Sequence, residues 1–268
     1  MCPESTGAEI DELKKDVDKL EKRVEVLDTQ LGQVLSEQIE YLQNISHQLV
    51  APLNAIKWHI ENLTAGRMTP VRAQKVLRSI YSQATIAVHL AKNFVLMSNL
   101  EADHSLKSLR EPLEIVDLKK LLINLADDFQ PLGWDKGINI YVNDESFRKQ
   151  SEVMVIKSLI SQVFSNIIEN AIKYSNTDSN IWISRIDHKN TKLITIQVSN
   201  NGIGIPEEDI NKIFGRSFRS HRAINRHPAG TGFGLYIAER IINIHNGKIE
   251  ATSKPSGETF FKVSFPAK

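Results

Sequence analysis

Three short stretches of this 268-residue chain carry side chains or backbone suited to handling a phosphate. The first is Asn166-Ile-Ile-Glu-Asn170-Ala-Ile-Lys173-Tyr174. Asn166, Asn170 and Lys173 follow one another at steps of four and three, which places them on one face of a helix. Two amide oxygens and an ammonium on one face suit a metal–phosphate group, oxygen for Mg²⁺ and lysine for the anion. A polar solvated face has the same composition, so this stretch alone leaves both readings open. The other two are glycine clusters. Asn200-Asn201-Gly202-Ile203-Gly204-Ile205-Pro206 directly follows a strand-like run, and Gly230-Thr231-Gly232-Phe233-Gly234-Leu235 directly precedes a helical one. Glycine permits positive φ and close approach of backbone to a ligand, and the free N–H groups of a helix start favour a phosphate. Turns use the same residues, so a lone Gly-x-Gly says little. Neither cluster fits the Gly-x-x-x-x-Gly-Lys-Ser/Thr phosphate loop, and the Rossmann order of elements is absent.

The elements that must position these residues fall into three segments. Beyond Pro112, strand-like runs lie at 138–142, 181–186, 193–199, 248–253 and 259–265. Helical runs lie at 153–173 and 234–245, and Asp117 is placed to cap a further helix over 118–129. This mixture predicts an α/β sandwich over residues 113–268, one sheet covered by helices. The N-terminal segment is different. Ile10, Leu13, Val17, Leu20, Val24, Leu27, Leu31 and Val34 recur at alternating steps of three and four. With β-branched residues prominent at a and leucine at d, this heptad seam over 8–35 predicts a parallel two-stranded coiled coil. A single amphipathic helix packed inside one chain is the alternative. Gln38, Tyr41 and Ile45 continue the phase, so one long helix is expected to about Leu63. A loop, Thr64-Ala65-Gly66-Arg67-Met68, leads to a second helix opened by Thr69-Pro70 and running to about Glu101. Its expected apolar face is Val76, Leu77, Ile80, Ala84, Val88, Ala91 and Val95. Residues 36–108 therefore read as an antiparallel helical hairpin, and two such hairpins make a dimeric four-helix bundle. The fold class expected for the whole chain is α+β.

Composition narrows the function further. The chain is 41% hydrophobic and 24% charged, which excludes wholesale disorder. Lys plus Arg number 33 against 32 for Asp plus Glu, so no bulk basic excess points to a nucleic-acid partner and any phosphate site must be local. One cysteine, Cys2, excludes an internal disulfide framework and a cysteine-cluster metal site. No apolar run reaches the ~18 residues of a membrane span, and the first residues lack the apolar core of a signal peptide. A reducing, cytoplasmic compartment fits the single cysteine.

Taken together and in this order, the three phosphate-handling stretches resemble the ATP-binding domain of sensor histidine kinases, a branch of the gyrase, Hsp90 and MutL ATPase superfamily. Asn166–Tyr174 resembles the N box of that family, and Asn200–Gly204 its first glycine box. Ile213-Phe214-Gly215-Arg216-Ser217-Phe218-Arg219 resembles its F box and Gly230–Leu235 its second glycine box. The resemblance implies ATP held between the N-box helix and a lid at about 215–229. It places Asn166 and Asn170 near Mg²⁺, Lys173 near phosphate, Tyr174 near the nucleoside and Asn200 at the adenine. Gly202, Gly204, Gly230, Thr231, Gly232, Gly234 and Leu235 would shape the pocket, with Arg219 the first of several basic residues in the lid. Asn44-Ile-Ser-His47-Gln48-Leu-Val-Ala51-Pro52 on the first long helix resembles the H box, whose histidine accepts the γ-phosphoryl group. Ile45 and Leu49 are the expected core residues there, so His47 projects away from their stripe. The implied activity is ATP-dependent autophosphorylation of His47. Transfer to an aspartate on the receiver domain of a response regulator follows, in a homodimer driven by a sensory domain that is not in this chain.

Some residues depart from the family pattern. The residue after the histidine is usually acidic, and here it is Gln48, which can orient the ring but carries no charge. Ala51 stands where Thr or Asn is common, Val50 where a basic residue is common, and Asn200 where Asp is usual. A lost charge-assisted hydrogen bond is worth about 1.5–3 kcal/mol, roughly tenfold to a hundredfold in rate. These departures bear on turnover rather than on fold. They give a second reading, a catalytically weakened dimeric scaffold that binds nucleotide and partner.

Overall fold

Few helix breakers interrupt the first third of the chain, and the computed structural model has helix α1 running from Glu4 to Thr64, through Pro52. The structure describes residues 4–65, 68–102, 111–148, 151–186, 193–228 and 230–266. Gly66 and Arg67 of the expected loop, Ala229 of the expected lid, and the side chains of Ile10, Gln38 and Tyr41 lie outside that description. Two compact units divide the chain, residues 1–46 and residues 47–268. In the first unit the heptad residues face solvent, from Leu13 at 63% exposure to Val34 at 49%. A stripe of this kind cannot be satisfied within one chain, since the hydrophobic effect favours its removal from water.

The second unit begins with the end of α1 and helix α2 (Pro70–Ala102). Thr69 caps α2, its hydroxyl accepting from the Arg72 N–H at 3.4 Å. Strand β1 (Glu114–Asp117) follows, then α3 (Leu118–Trp134), whose first turn is capped by Asp117 accepting from the N–H groups of Lys119 and Lys120. Strands β2 (Asn139–Val142) and β3 (Glu152–Val155) precede α4 (Lys157–Tyr174). Strands β4 (Asn180–Ile186) and β5 (Leu193–Asn201), the short helix α5 (His221–Arg226), α6 (Gly234–Ile244), β6 (Lys248–Ser253) and β7 (Glu258–Pro266) complete the chain. Five strands form one sheet in the order β2-β4-β5-β7-β6, parallel at β2–β4 and antiparallel elsewhere. Strands β1 and β3 form a separate antiparallel pair.

One expected helix is corrected. The run 153–173 does not begin as helix: Glu152–Val155 is strand β3, paired with β1, and the helix starts at Lys157. Val153 and Val155 are buried while Glu152 and Met154 are exposed, the period of two of a half-buried strand. Continuity of apolar residues across the junction hid this change of period. On α2, Val76, Ile80 and Ala84 of the expected apolar face are half-buried within the chain. Ala87, His89, Leu96 and Met97 are buried, whereas Leu77, Val88 and Val95 are exposed. Two faces of α2 are therefore apolar, and α3, α4 and α6 meet only one of them.

Helix α4 is the centre of the second unit. Ile160, Val163, Phe164, Ile167 and Ile168 are fully buried, as are Ile181, Ile183 and Val263 of the sheet. Burial of each such side chain contributes about 1.5–3 kcal/mol. Side chains from elsewhere pin both ends of this helix. At its start Ile156 has no side-chain cap, and its N–H donates to His245 Nε2 at 3.1 Å. His245 Nδ1 donates to the Ile241 carbonyl at 2.8 Å, so the bonds assign the proton to Nδ1. At its end Lys136 Nζ donates to the carbonyls of Ile172 and Lys173, both at 3.0 Å, the favourable placement for a cation at a helix C-terminus. Burial, with the nearby charges of Arg226 and Lys173, lowers the Lys136 pKa.

Burial also lowers the His245 pKa from its ordinary value of 6.5, opposed in part by the bond to Ile241. The folded protein thus holds this ring neutral, while the unfolded chain takes up a proton as the pH falls through 6.5. Its contribution to stability is complete above that pH and declines on acidification until the folded ring also titrates. We expect His245→Gln to lose about 1–2 kcal/mol near neutrality. We also expect the gap between parent and variant in urea melts to narrow as the pH is lowered. A gap independent of pH would contradict the neutral-cap assignment.

Candidate functional site

Where α4, the start of α6 and the segment between β5 and α6 meet, they enclose a cleft of about 1050 Å³, its open mouth included. Of the site residues singled out from the sequence, all but His47 and Gly202 line it. Gly202 explains itself by close approach. The first glycine cluster crosses the C-terminal end of α4, with the Ile203 N–H donating to the Tyr174 carbonyl at 3.1 Å. A β-carbon on Gly202 would stand 2.0 Å from that carbonyl oxygen, which no side chain can tolerate. Gly204 and Asn200 therefore reach the cleft from a strand end clamped onto α4. Asn200 is buried, and its amide nitrogen donates to Ser175 Oγ at 3.2 Å, so its oxygen is the atom left to accept from a ligand.

The lid is built around one guanidinium. Arg219 donates to the carbonyls of Pro228 at 2.7 Å, Gly230 at 3.3 Å and Ala223 at 3.4 Å, and also to that of His227. Its donors organise the loop, although the residue lines the cleft as expected. Ser220 caps α5, its hydroxyl accepting from the Ala223 N–H. Gly232 has φ +72°, and a β-carbon there would stand 2.6 Å from the Ser217 carbonyl carbon, so the lid closes onto backbone at this point.

Charge in the cleft centres on a residue that sequence reasoning missed. Glu169 is buried on α4, with Oε1 2.6 Å from Lys173 Nζ and Oε2 2.5 Å from His89 Nδ1 of α2. Burial alone would raise its pKa. The Lys173 charge, together with the hydrogen bond and charge of His89, outweighs burial and holds the carboxyl well below the usual carboxylate range. Lys173 is thus paired with Glu169 while it faces the cleft. One turn away, Asn166 is 2% exposed, and its Oδ1 accepts from Asn93 Nδ2 at 2.9 Å. Asn93 Oδ1 in turn accepts from Gln162 Nε2 at 2.9 Å. The Asn166 amide nitrogen is buried without a partner among the described residues. His89 and Asn93 are four apart on a helix whose apolar pattern they interrupt, and that interruption was the available signal. The α1 helix contributes Gln48. With its amide oriented so that the oxygen faces the lid, that oxygen accepts from the N–H groups of Gly230 and Thr231, both at 3.2 Å. His47, its neighbour in sequence, is exposed.

No group of three or more His, Cys, Asp or Glu able to hold a metal exists among the described residues. The residues expected at a cation, Asn166 and Asn170, line the cleft and offer neutral amide oxygens, while the Glu169 carboxylate is taken up by Lys173 and His89. Mg²⁺ retains waters and phosphate oxygens and takes only one or two protein ligands in nucleotide sites. This donor set therefore fits a cation that arrives with phosphates and does not fit a resident one.

Residues 156–268 match the family described as histidine kinase-, DNA gyrase B-, and HSP90-like ATPase. The chain is 29% identical over 239 residues to a sensor protein kinase WalK of Staphylococcus saprophyticus, covering 89% of this chain and 38% of that protein. It is 29% identical over 241 residues to a WalK of Staphylococcus aureus, covering 89% of this chain and 56% of that one. The chain thus spans little more than a third to a half of the relatives it matches. Among solved structures, the Acinetobacter baumannii histidine kinase AdeS superposes with a TM-score of 0.53 at 20% identity, over 83% of this chain and 98% of that one. Full-length ShkA in complex with AMPPNP superposes with a TM-score of 0.56 at 19% identity, over 85% of this chain and 45% of that one. At those identities the two structures establish the shared fold. No helix among the described residues is long and apolar enough to cross a membrane.

Placing a β-carbon at Gly232 costs about 1–2 kcal/mol for the left-handed backbone alone. We expect Gly232→Ala to loosen the lid selectively. Limited proteolysis within 215–228 should accelerate by roughly tenfold, with the global melting transition little changed. An unaltered cleavage rate would show that this contact does not hold the lid.

Proposed function

We propose that this chain, built as the catalytic core of a sensor histidine kinase, binds ATP with Mg²⁺ in the α4–lid cleft and transfers the γ-phosphoryl group to His47. The observation that carries the reading is the position of Gln48. The residue next to the exposed imidazole touches the glycine cluster at the mouth of the cleft, so acceptor and cleft lie within one residue of each other along α1. The His47 imidazole supplies the nucleophile. Its free nitrogen attacks phosphorus in line, the bond to the β–γ bridging oxygen breaks, and ADP leaves with that electron pair. The proton on the other ring nitrogen stays until phosphohistidine forms and solvent takes it.

Each site residue then has a role. The Asn200 oxygen accepts from the adenine amino group, and Tyr174 lies beside the nucleoside. Lys173 holds phosphate, which requires it to exchange part of its contact with Glu169. The backbone N–H groups of the second glycine cluster, at the start of α6, meet the phosphates. Asn166 and Asn170 would hold Mg²⁺, which supplies charge neutralisation along the triphosphate. Gln48 orients His47 through its amide but cannot stabilise an imidazolium as a carboxylate would, and turnover is expected to be correspondingly slow.

The solvent-facing heptad stripe and the exposed apolar residues of the hairpin, among them Leu53, Trp58, Leu77, Val88 and Val95, support a homodimer. Residues 8–35 would form the coiled coil, 36–108 the dimerisation and phosphoacceptor hairpin, and 113–268 the ATP-binding domain. The phosphoryl group would pass to an aspartate on a response-regulator receiver domain, and an upstream sensory domain would act through the coil.

Incubation with γ-labelled ATP and Mg²⁺ is expected to give acid-labile, base-stable label on the protein, lost in His47→Gln. Label that persists in that variant overturns the assignment of His47. Tight nucleotide uptake with no label at all would instead establish the scaffold reading, for which the absence of an acid at Gln48 is the physical ground.

A further inference from the structure

Two side chains of the helical hairpin occupy the groups that a magnesium nucleotide needs. Gln48 of α1 presents a carbonyl-type oxygen to the adjacent N–H groups of Gly230 and Thr231, 3.2 Å from each. That is how a phosphate oxygen is received at a glycine-rich helix start. Asn93 of α2 donates to Asn166 Oδ1 at 2.9 Å, which is the oxygen a cation would use. Asn93 is itself held by Gln162 at 2.9 Å, and beside it His89 contacts the Glu169 carboxylate that also pairs with Lys173. The two contacts come from different helices of the hairpin and fall on the two chemically distinct halves of one cleft. The buried amide nitrogen of Asn166, without a partner among the described residues, leaves part of the cleft's polar chemistry unmet.

We propose that the hairpin plugs its own nucleotide cleft, with Gln48 standing in for a phosphate and Asn93 engaging the cation ligand Asn166, so that nucleotide loading and release of these contacts are one equilibrium. This rests on the cleft being the nucleotide site proposed above. Nucleotide must displace the plug, and its apparent affinity is lowered by the fraction of molecules that hold it. By linkage, nucleotide weakens the docking of the hairpin on α4 by the same factor. A signal that shifts the hairpin would therefore tune nucleotide loading without touching the adenine end of the cleft.

The two plug residues leave different signatures. Each neutral hydrogen bond released corresponds to a gain of about two- to tenfold in affinity. Calorimetric or fluorescence titration of the full chain with AMPPNP should show Gln48→Ala binding tighter by that factor, with or without Mg²⁺. Adenosine, which has no phosphate, should bind parent and variant alike. Asn93→Ala should bind AMPPNP tighter only when Mg²⁺ is present. Gln48→Glu keeps an acceptor at the N–H pair and adds charge, and should bind AMPPNP more weakly than the parent. Parent and variants that bind AMPPNP with equal affinity would overturn the plug while leaving the nucleotide site standing. Absence of AMPPNP and adenosine binding in every variant would overturn both. Gln48→Ala tightening adenosine as much as AMPPNP would also overturn the plug, since it would place the effect away from the phosphates.

Discussion

An ionised carboxylate inside a protein is costly unless opposite charge and hydrogen bonds surround it. Glu169 meets that condition through one partner on its own helix, Lys173, and one on α2, His89. The second partner is the consequential one, because it ties the charge balance of the cleft to the position of the hairpin. If α2 withdraws, Glu169 loses a contact, Asn166 loses Asn93, and Lys173 becomes the sole counter-charge of a carboxylate newly open to water. The cleft's electrostatics and the docking of the hairpin are thus one problem with one solution in this structure. Helix α4 can serve as the fixed side of that arrangement because His245 and Lys136 hold its two ends and the sheet buries its apolar face.

This coupling gives physical content to the idea of a helical stalk controlling a nucleotide lobe. The polar contacts between them are short and few, beside an apolar face of α2 that buries Ala87, Leu96 and Met97, His89 edge-on against Phe129 at 5.8 Å and Arg78 over the Trp134 ring at 4.8 Å. Each polar contact can exchange for water or ligand at a cost of order 1 kcal/mol. That suits an interface that forms and releases, in contrast to the apolar seam of α1, whose exposed leucines and valines call for a permanent partner.

Much of the fold was legible because the relevant signals were local. The Asp117 cap, the Thr69-Pro70 helix start and the alternation in β4 to β7 all appear where residue patterns placed them. The strand β3 was not legible, since Val153, Val155 and Ile156 run straight into the apolar face of α4 and only pairing with β1 separates them. The candidate site was legible as a list of residues. Helix spacing places Asn166, Asn170 and Lys173 together, and glycine clusters mark close approach. What no pattern announced was the second set of contacts. Glu169, His89 and Asn93 were absent from that list. Their meaning depends on which face of α2 meets α4, a tertiary fact. The expected apolar face of α2 is half-buried at Val76, Ile80 and Ala84 and exposed at Leu77, Val88, Ala91 and Val95, and a helix with two apolar faces does not say which one packs within the chain.

The most direct measurement is the distance between hairpin and lobe in solution. Spin labels at Lys75 on α2 and Lys248 on β6, both exposed, can be introduced after replacing Cys2, the single cysteine. The account predicts one narrow distance distribution for the protein alone, and a second, displaced population on saturation with Mg²⁺ and AMPPNP. Identical distributions in the two conditions would contradict it, since nucleotide would then enter without disturbing the contacts that hold the hairpin on α4.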